Sequence, residues 1–308
     1  MNTRNISKHI KSKMDSWLAS IEDRQLAQDL KPVIMVTGGC LASLLTNDKV
    51  NDYDVYLTDF GMAVRLSEYY VGKFNAMYNE HVTVRVSDDN RVTFHVQSQG
   101  IAGPKAEDDP AYKYFEAMPE DQAGEFVDTL VRHVNETKEA ARDEKNLYLP
   151  VFLTTNAVTL TDKVQVVTRF QGTPEEIHKN FDFLHCMGYW TYADNQVVVT
   201  VPALLSLMNK QLVFQGSLYP IAALLRVRKF MARGWTISAG QVLKMCYAVN
   251  ALDLKDPAVL REQLVGMDFA YFRQLIDALM TPDGQVRANL DAMYVCEVID
   301  RMEGGGAA

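Results

Sequence analysis

The chain has no run of about 18 or more uncharged apolar residues, the length a helix needs to span the hydrocarbon core of a bilayer. The basic opening MNTRNISKHIKSK is not followed by the apolar stretch of a secretory signal. Cysteine is scarce. Cys40, Cys186, Cys246 and Cys296 lie far apart, in neither the paired spacing of a metal site nor the density of a disulfide framework. These absences predict a folded protein of a reducing cytoplasm with no membrane partner. Also missing are a Gly-x-Gly-x-x-Gly after a strand, a Gly-x-x-x-x-Gly-Lys-Ser/Thr and a Gly-x-Ser-x-Gly elbow, which disfavours dinucleotide oxidoreductases, P-loop ATPases and serine hydrolases. There is no internal repeat.

Acidic residues are absent between Asp194 and Asp253, although the whole chain carries a net charge of -8. Lys210, Arg226, Arg228, Lys229, Arg233 and Lys244 all fall inside that window. One basic face on an otherwise acidic protein suits a nucleotide and a few phosphates, and is thin for a long RNA contact. From Glu107 to Glu144 the bias reverses and acids dominate.

With 308 residues and a 48% apolar share, the chain is long enough for one large domain or two ordinary ones. Residues 5–30 read as an amphipathic helix closed by Pro32. VIMVTGG (33–39) is an apolar strand running into two glycines, LASLLTND a short helix, and DYDVYL a strand of period two. A helix over 63–78 precedes two short strands, VTVRV and RVTFHV. Two further strands, VFLTTNAVTLT and KVQVVTRF, lead to a helix capped by Thr173 with Pro174 at its first position. That helix runs into another strand, FDFLHCMGYW. Everything after VVVTVP to about residue 302 reads as helical. The predicted class is α+β. It comprises an N-terminal helix (1–30), a mixed-sheet head (31–200) with a charged helical insertion at about 100–146, an all-helical domain (201–302) and a disordered tail (303–308).

Asp52 and Asp54 are two apart in a strand, so both carboxylates project from one face. Two hard carboxylates on one face suit Mg²⁺ or Mn²⁺. Gly38 and Gly39 offer backbone that a phosphate can approach without a Cβ in the way, and Ser43 or the adjoining helix N-terminus can donate to it. A strand end with two solvated aspartates is the structural alternative. On a helix over 224–233, Arg226, Lys229 and Arg233 share a face while Arg228 turns aside, though basic residues on a helix are commonly a solvated face. His185 reads as a satisfied core histidine and His178 as a helix-surface residue. Neither Cys40 nor Cys186 has a neighbouring base that would make it a nucleophile.

The stretch GGCLASLLTNDKVNDYDVYLT resembles the first signature of the polymerase-beta-type nucleotidyltransferase superfamily, and within it the bacterial poly(A) polymerase and CCA-adding group. That group's pattern is Gly-Gly, a helix with Arg-Asp and Leu-Leu-Gly, then Asp-x-Asp. Gly38, Gly39, Leu44, Leu45, Asp52 and Asp54 match it, while Ala42 and Ser43 stand where the group has Arg-Asp. NFDFLHC (180–186) is similar to a second element through Asp182 and Phe183. LLRVRKFMARGWTIS (224–238) resembles a third through Arg226, Lys229 and Phe230, with Ala223 and Pro220 in place of its first arginine and preceding aspartate.

The resemblance implies a nucleotidyltransferase-type head and a two-metal transfer of a nucleoside monophosphate from a nucleoside triphosphate to an acceptor hydroxyl, an RNA 3′ end in that group. Asp52 and Asp54 would hold the metals, and Asp182 would assist as a third catalytic carboxylate. Gly38, Gly39, Ser43, Arg226, Lys229 and Arg233 would bind the nucleotide. Two other function classes stay open: modification of a protein or small molecule, and a non-catalytic descendant that keeps the fold for binding. Sequences of this look are, by resemblance, frequent among bacteriophage proteins, which would place the chain in a host cytoplasm.

Overall fold

In the computed structural model, residues 2–78, 82–86, 92–96, 147–153 and 157–254, with Val259 and Gln263, are described. The chain opens with helices α1 (Thr3–Ser20) and α2 (Arg24–Leu30), where the sequence had suggested one. Ile21 turns extended and Asp23 caps the second helix, its carboxylate accepting the Leu26 N–H at 2.9 Å, so the break comes from a capping residue inside an otherwise helical period. Strand β1 (Ile34–Thr37), helix α3 (Gly39–Thr46), strand β2 (Tyr53–Leu57) and helix α4 (Phe60–Tyr78) follow. The hairpin β3 (Val82–Val86) and β4 (Val92–Val96) forms its own small sheet.

Strands β5 (Pro150–Leu153), β6 (Ala157–Leu160) and β7 (Val164–Val167) come next. The segment expected to be one strand, VFLTTNAVTLT, is thus two that pair with each other. Helix α5 (Pro174–His178) has the expected Thr173 cap, reinforced by Glu176 reaching back to the Thr173 N–H at 2.8 Å. Strands β8 (Tyr189–Thr191) and β9 (Gln196–Val198) complete a seven-stranded sheet of order β5-β6-β7-β2-β1-β8-β9. It is mixed: β2 and β7 run parallel, and the other neighbours antiparallel. Helices α6 (Val201–Met208), α7 (Pro220–Met231) and α8 (Ala239–Asn250) follow. The last part is not wholly helical, since the two-residue strands β10 (Gln211–Leu212) and β11 (Thr236–Ile237) pair in parallel within it. The segments expected as a charged insertion and a disordered tail lie outside the described residues.

The sheet has two faces with different duties. Ile34, Val36, Tyr53, Val55, Leu57, Val164, Val166 and Trp190 point to one side, where Ile6, Ile10, Met14 and Trp17 of α1 join them in the main core. Strand alternation sends Met35, Tyr56, Val167 and Tyr189 to the other side, where they pack with Ile177 of α5, Phe170 and Phe181. Thr37 and Asp54 belong to that second face. A separate cluster of Phe183, Leu207, Leu212, Phe214, Ala223, Trp235 and Met245 ties α6, α7 and α8 to Ala42 of α3. Between the second face and α7 lies a cleft of about 290 Å³.

Candidate active site

The cleft is built around the end of β1. Thr37 is the register partner of Asp54 on β2, so the chain turns through Gly38 into α3 beside that carboxylate. Gly38 has φ 90° and ψ -151°, a conformation essentially restricted to glycine. A Cβ there would lie 3.1 Å from Asp54 Oδ2, and the Gly38 N–H donates to the Cys186 carbonyl at 3.2 Å. Nothing lies within 4 Å of a Cβ built on Gly39, the exposed first residue of α3, and the first N–H groups of a helix lack helical partners. Gly38→Ala is expected to cost about 1–3 kcal/mol through the backbone alone, whereas Gly39→Ala should shift the urea midpoint little. Equal midpoints for the two variants would contradict this account of the turn.

Burial pushes the Asp54 carboxyl up to about 7, with repulsion from Asp52 adding to the shift and Arg226 opposing it. Among the described residues the Asp54 carboxylate accepts no side-chain hydrogen bond, and no group of three or more His, Cys, Asp or Glu side chains is gathered for a metal. A half-buried carboxyl raised by desolvation and then by a neighbouring acid is one that a divalent cation would neutralise. Asp54, with Asp52 nearby in charge, is the residue here that could hold such an ion.

Asp182 is held differently. It is 5% exposed, forms an ion pair with Arg226 of α7, and accepts a hydrogen bond from Ser217 Oγ at 2.5 Å. Ser217 Oγ in turn accepts the Tyr219 N–H at 2.8 Å. The stretch expected to be a strand, FDFLHCMGYW, is instead mostly irregular. Phe181 N–H closes onto the His178 carbonyl, Phe183 makes one isolated bridge to Phe214, and Leu184–Cys186 form a 3₁₀ turn before β8 begins. Its backbone is stitched to 213–215 through Leu184 N–H to Val213 O and Gln215 N–H to Asp182 O. This brings Asp182 to the cleft with both carboxylate oxygens already engaged.

Of the residues singled out in the sequence, Gly38, Gly39, Asp54, Asp182 and Arg226 line this cleft together. Asp52 is exposed just ahead of β2 and acts on Asp54 through its charge. Ser43 is buried within α3 and is not a lining residue. Lys229 and Arg233 are exposed outside the lining. Arg233 lies beyond the end of α7, where Gly234 at φ 80° turns the chain, so it does not continue the helical face.

The cleft also contains Phe230, which the third motif had matched, and residues the sequence had not singled out: Tyr56, Arg169, Phe170, Asn180, Phe181 and Tyr219. Arg169 donates to the Tyr219 hydroxyl and lies over the Tyr219 ring at 5.0 Å. It continues the period-two series Gln165, Val167 of β7, whose Gln165 is the partner of Asp54. The parity was legible in the sequence, but the pairing of β7 with β2 was not.

His178 is half-buried, not a surface residue. Its Nε2 lies 2.8 Å from Thr37 Oγ1, and that hydroxyl donates to the Gly188 carbonyl at 2.7 Å, so the imidazole is the donor to Thr37. Burial lowers its pKa to about 4 and keeps it neutral. His185 is a buried, neutral imidazole, pulled down to about 3 and packed 4.1 Å from Trp235 and 4.5 Å from Phe230. Neither of its ring nitrogens has a hydrogen-bond partner among the described residues, in contrast to the satisfied histidine expected. Burial raises both the Cys40 and Cys186 thiols, the latter to about 12, so neither is a thiolate nucleophile at neutral pH.

A family model described as "Gabija anti-defense 2 family protein" matches residues 8–210. No curated protein gives a significant match. Among solved structures, the chain is similar to a tRNA-processing enzyme with CTP (12% identity, TM-score 0.38), covering 91% of this chain and 55% of that one. It is also similar to a tRNA nucleotidyltransferase complexed with a primer tRNA and an incoming ATP analog (12%, TM-score 0.37, 91% and 60%). A third is the Thermotoga maritima CCA-adding enzyme complexed with tRNA (12%, TM-score 0.38, 88% and 57%). The chain thus spans little more than half the length of these three.

Proposed function

The chain belongs to the Gabija anti-defense 2 family, and from the chemistry of its cleft we propose that it is a metal-dependent nucleotidyltransferase. The observation that carries this reading is the meeting of Gly38 and Gly39 with Asp54 and Arg226 in one cleft. The sequence motif Gly-Gly, helix, Asp-x-Asp supports it independently. Asp54 and Asp52 would hold Mg²⁺ or Mn²⁺, which supplies charge neutralisation at the triphosphate when bound. The first turn of α3 and the guanidinium of Arg226 bind and orient the phosphates. We assign Asp182, with Ser217, to holding Arg226 in place. Ser43 supports α3 from within, and Lys229 and Arg233 attract the anionic substrate from outside the cleft.

In the transfer, the oxygen of an acceptor hydroxyl forms a bond to the α-phosphorus, the bond from that phosphorus to the bridging oxygen breaks, and pyrophosphate leaves. The hydroxyl proton passes to water at the mouth of the cleft. By the resemblance of its motifs the acceptor is an RNA 3′ end. A second acceptor is a hydroxyl on a protein or small molecule, and the family's anti-defense description fits the alternative of a binding protein that keeps this fold. It also fits a bacteriophage-encoded protein working in the host cytoplasm.

Incubating the protein with each labelled nucleoside triphosphate, Mg²⁺ or Mn²⁺, and total cellular RNA and protein tests the reading. Label in RNA supports the first acceptor, and label in protein supports the second. If no fraction is labelled with any nucleotide and either metal, the chain is a binding protein on this fold and the enzymatic reading fails.

A further inference from the structure

A nucleotide has two ends, and Gly38, Asp54 and Arg226 account for its phosphates alone. The remainder of the cleft is strongly aromatic. Phe170, Phe181 and Phe230 line it with half-buried rings. Other rings hold two of these in place: Phe181 leans on Tyr56 with centroids 5.9 Å apart, and Phe230 stands edge-on to Phe183 at 5.7 Å.

Several donors and acceptors of the polar side chains beside these rings are taken up within the protein. Asn180 Nδ2 donates to the carbonyls of Glu176 and Ile177 at 3.3 and 3.4 Å. Ser217 and Arg226 hold Asp182, and the Tyr219 hydroxyl accepts from Arg169. Reading the edge of a base needs donors and acceptors presented at fixed positions. Holding its face needs only a flat π surface, which every base can use.

Resting on the nucleotidyltransferase reading, we propose that the cleft holds the base of its nucleoside triphosphate by stacking on the Phe170, Phe181 and Phe230 wall and not by reading its edge, so that all four nucleotides bind with similar affinity. Purines, with the larger face, bind ahead of pyrimidines. Selectivity in the reaction then lies with the acceptor.

Calorimetric titration of the full chain with ATP, GTP, CTP, UTP and inorganic tripolyphosphate, each with Mg²⁺, tests this. The four dissociation constants are expected within about tenfold of one another and below that of tripolyphosphate. Phe181→Leu keeps an apolar side chain but removes the ring, and should weaken all four nucleotides by about tenfold while leaving tripolyphosphate unchanged. Phe170→Leu provides the same measurement should Phe181→Leu fail to fold. A preference of more than tenfold for one base over the other three would overturn stacking and leave the nucleotidyltransferase reading standing. So would nucleotides that bind no more tightly than tripolyphosphate, or folded variants with unchanged affinities. If neither nucleotides nor tripolyphosphate bind, the underlying reading falls with the inference.

Discussion

Replacing Asp54 with asparagine is expected to reduce nucleotide incorporation on the order of 10²–10³-fold or more, the loss seen when one preorganised electrostatic group is removed from an active site. The same substitution should stabilise the metal-free protein at neutral pH. The Asp54 carboxyl has a folded-state pKa of about 7 against an ordinary value of 3.8. Below about pH 4 it is protonated in both states and costs nothing. Between about 4 and 7 the unfolded chain releases this proton while the folded protein keeps it, so stability falls as pH rises and levels off above 7. The penalty at pH 8 is on the order of 3–4 kcal/mol, and Asp54→Asn removes it. Thermal unfolding of both proteins at pH 4.5 and 8, with and without Mg²⁺ or Mn²⁺, reads the effect. The cation should raise the midpoint of the wild type at pH 8 far more than that of the variant. Equal shifts in the two proteins would take Asp54 out of the cation site.

The second large effect is expected from Arg226→Ala. It leaves Asp182, 5% exposed, with Ser217 as its remaining side-chain partner, and truncating the half-exposed arginine strands the charge of the buried acid. A loss of about 3 kcal/mol in unfolding free energy should result, together with weaker triphosphate binding. The two consequences separate in a double-mutant cycle. Adding Asp182→Asn to Arg226→Ala neutralises the stranded acid and should recover much of the stability, but none of the nucleotide affinity. Arg226→Lys should fall between, because an ammonium keeps the charge and loses the planar fork that can serve Asp182 and a phosphate together. If Arg226→Ala bound nucleotide as the wild type does, the arginine would have only a structural duty.

These two residues also show how unevenly the site was legible in the sequence. Asp54 sits in DYDVYL, where Tyr53, Val55 and Leu57 go to the main core, so simple alternation locates its carboxylate on the opposite face. Gly38 and Gly39 were equally plain, since an apolar strand ending in two glycines and a short helix is a local pattern. Asp182 was visible as a residue but not in its pairing with Arg226 and Ser217. Its segment alternates like a strand, yet its backbone hydrogen bonds go to 213–215 and to a 3₁₀ turn. Arg226 stood out in an acid-free window, but the pairing with Asp182 joins positions 44 residues apart. The aromatic wall was legible only in part: Phe230 matched a motif, but Phe170 and Phe181 are ordinary apolar residues until separate segments converge.

By itself, the sequence determined what short-range physics controls: the alternation of β1 and β2, the turn that needs glycine, the cap at Thr173, the helices whose apolar period matches their buried faces, and the acid pair at the start of β2. Only the tertiary structure decided which strand lies beside β2, that Asp182 is neutralised by Arg226, and which aromatic rings face the cleft. Periodicity and capping act over a few residues and leave a trace in the order of amino acids. Strand pairing and buried ion pairs are settled by packing between distant segments, and no local pattern records the choice.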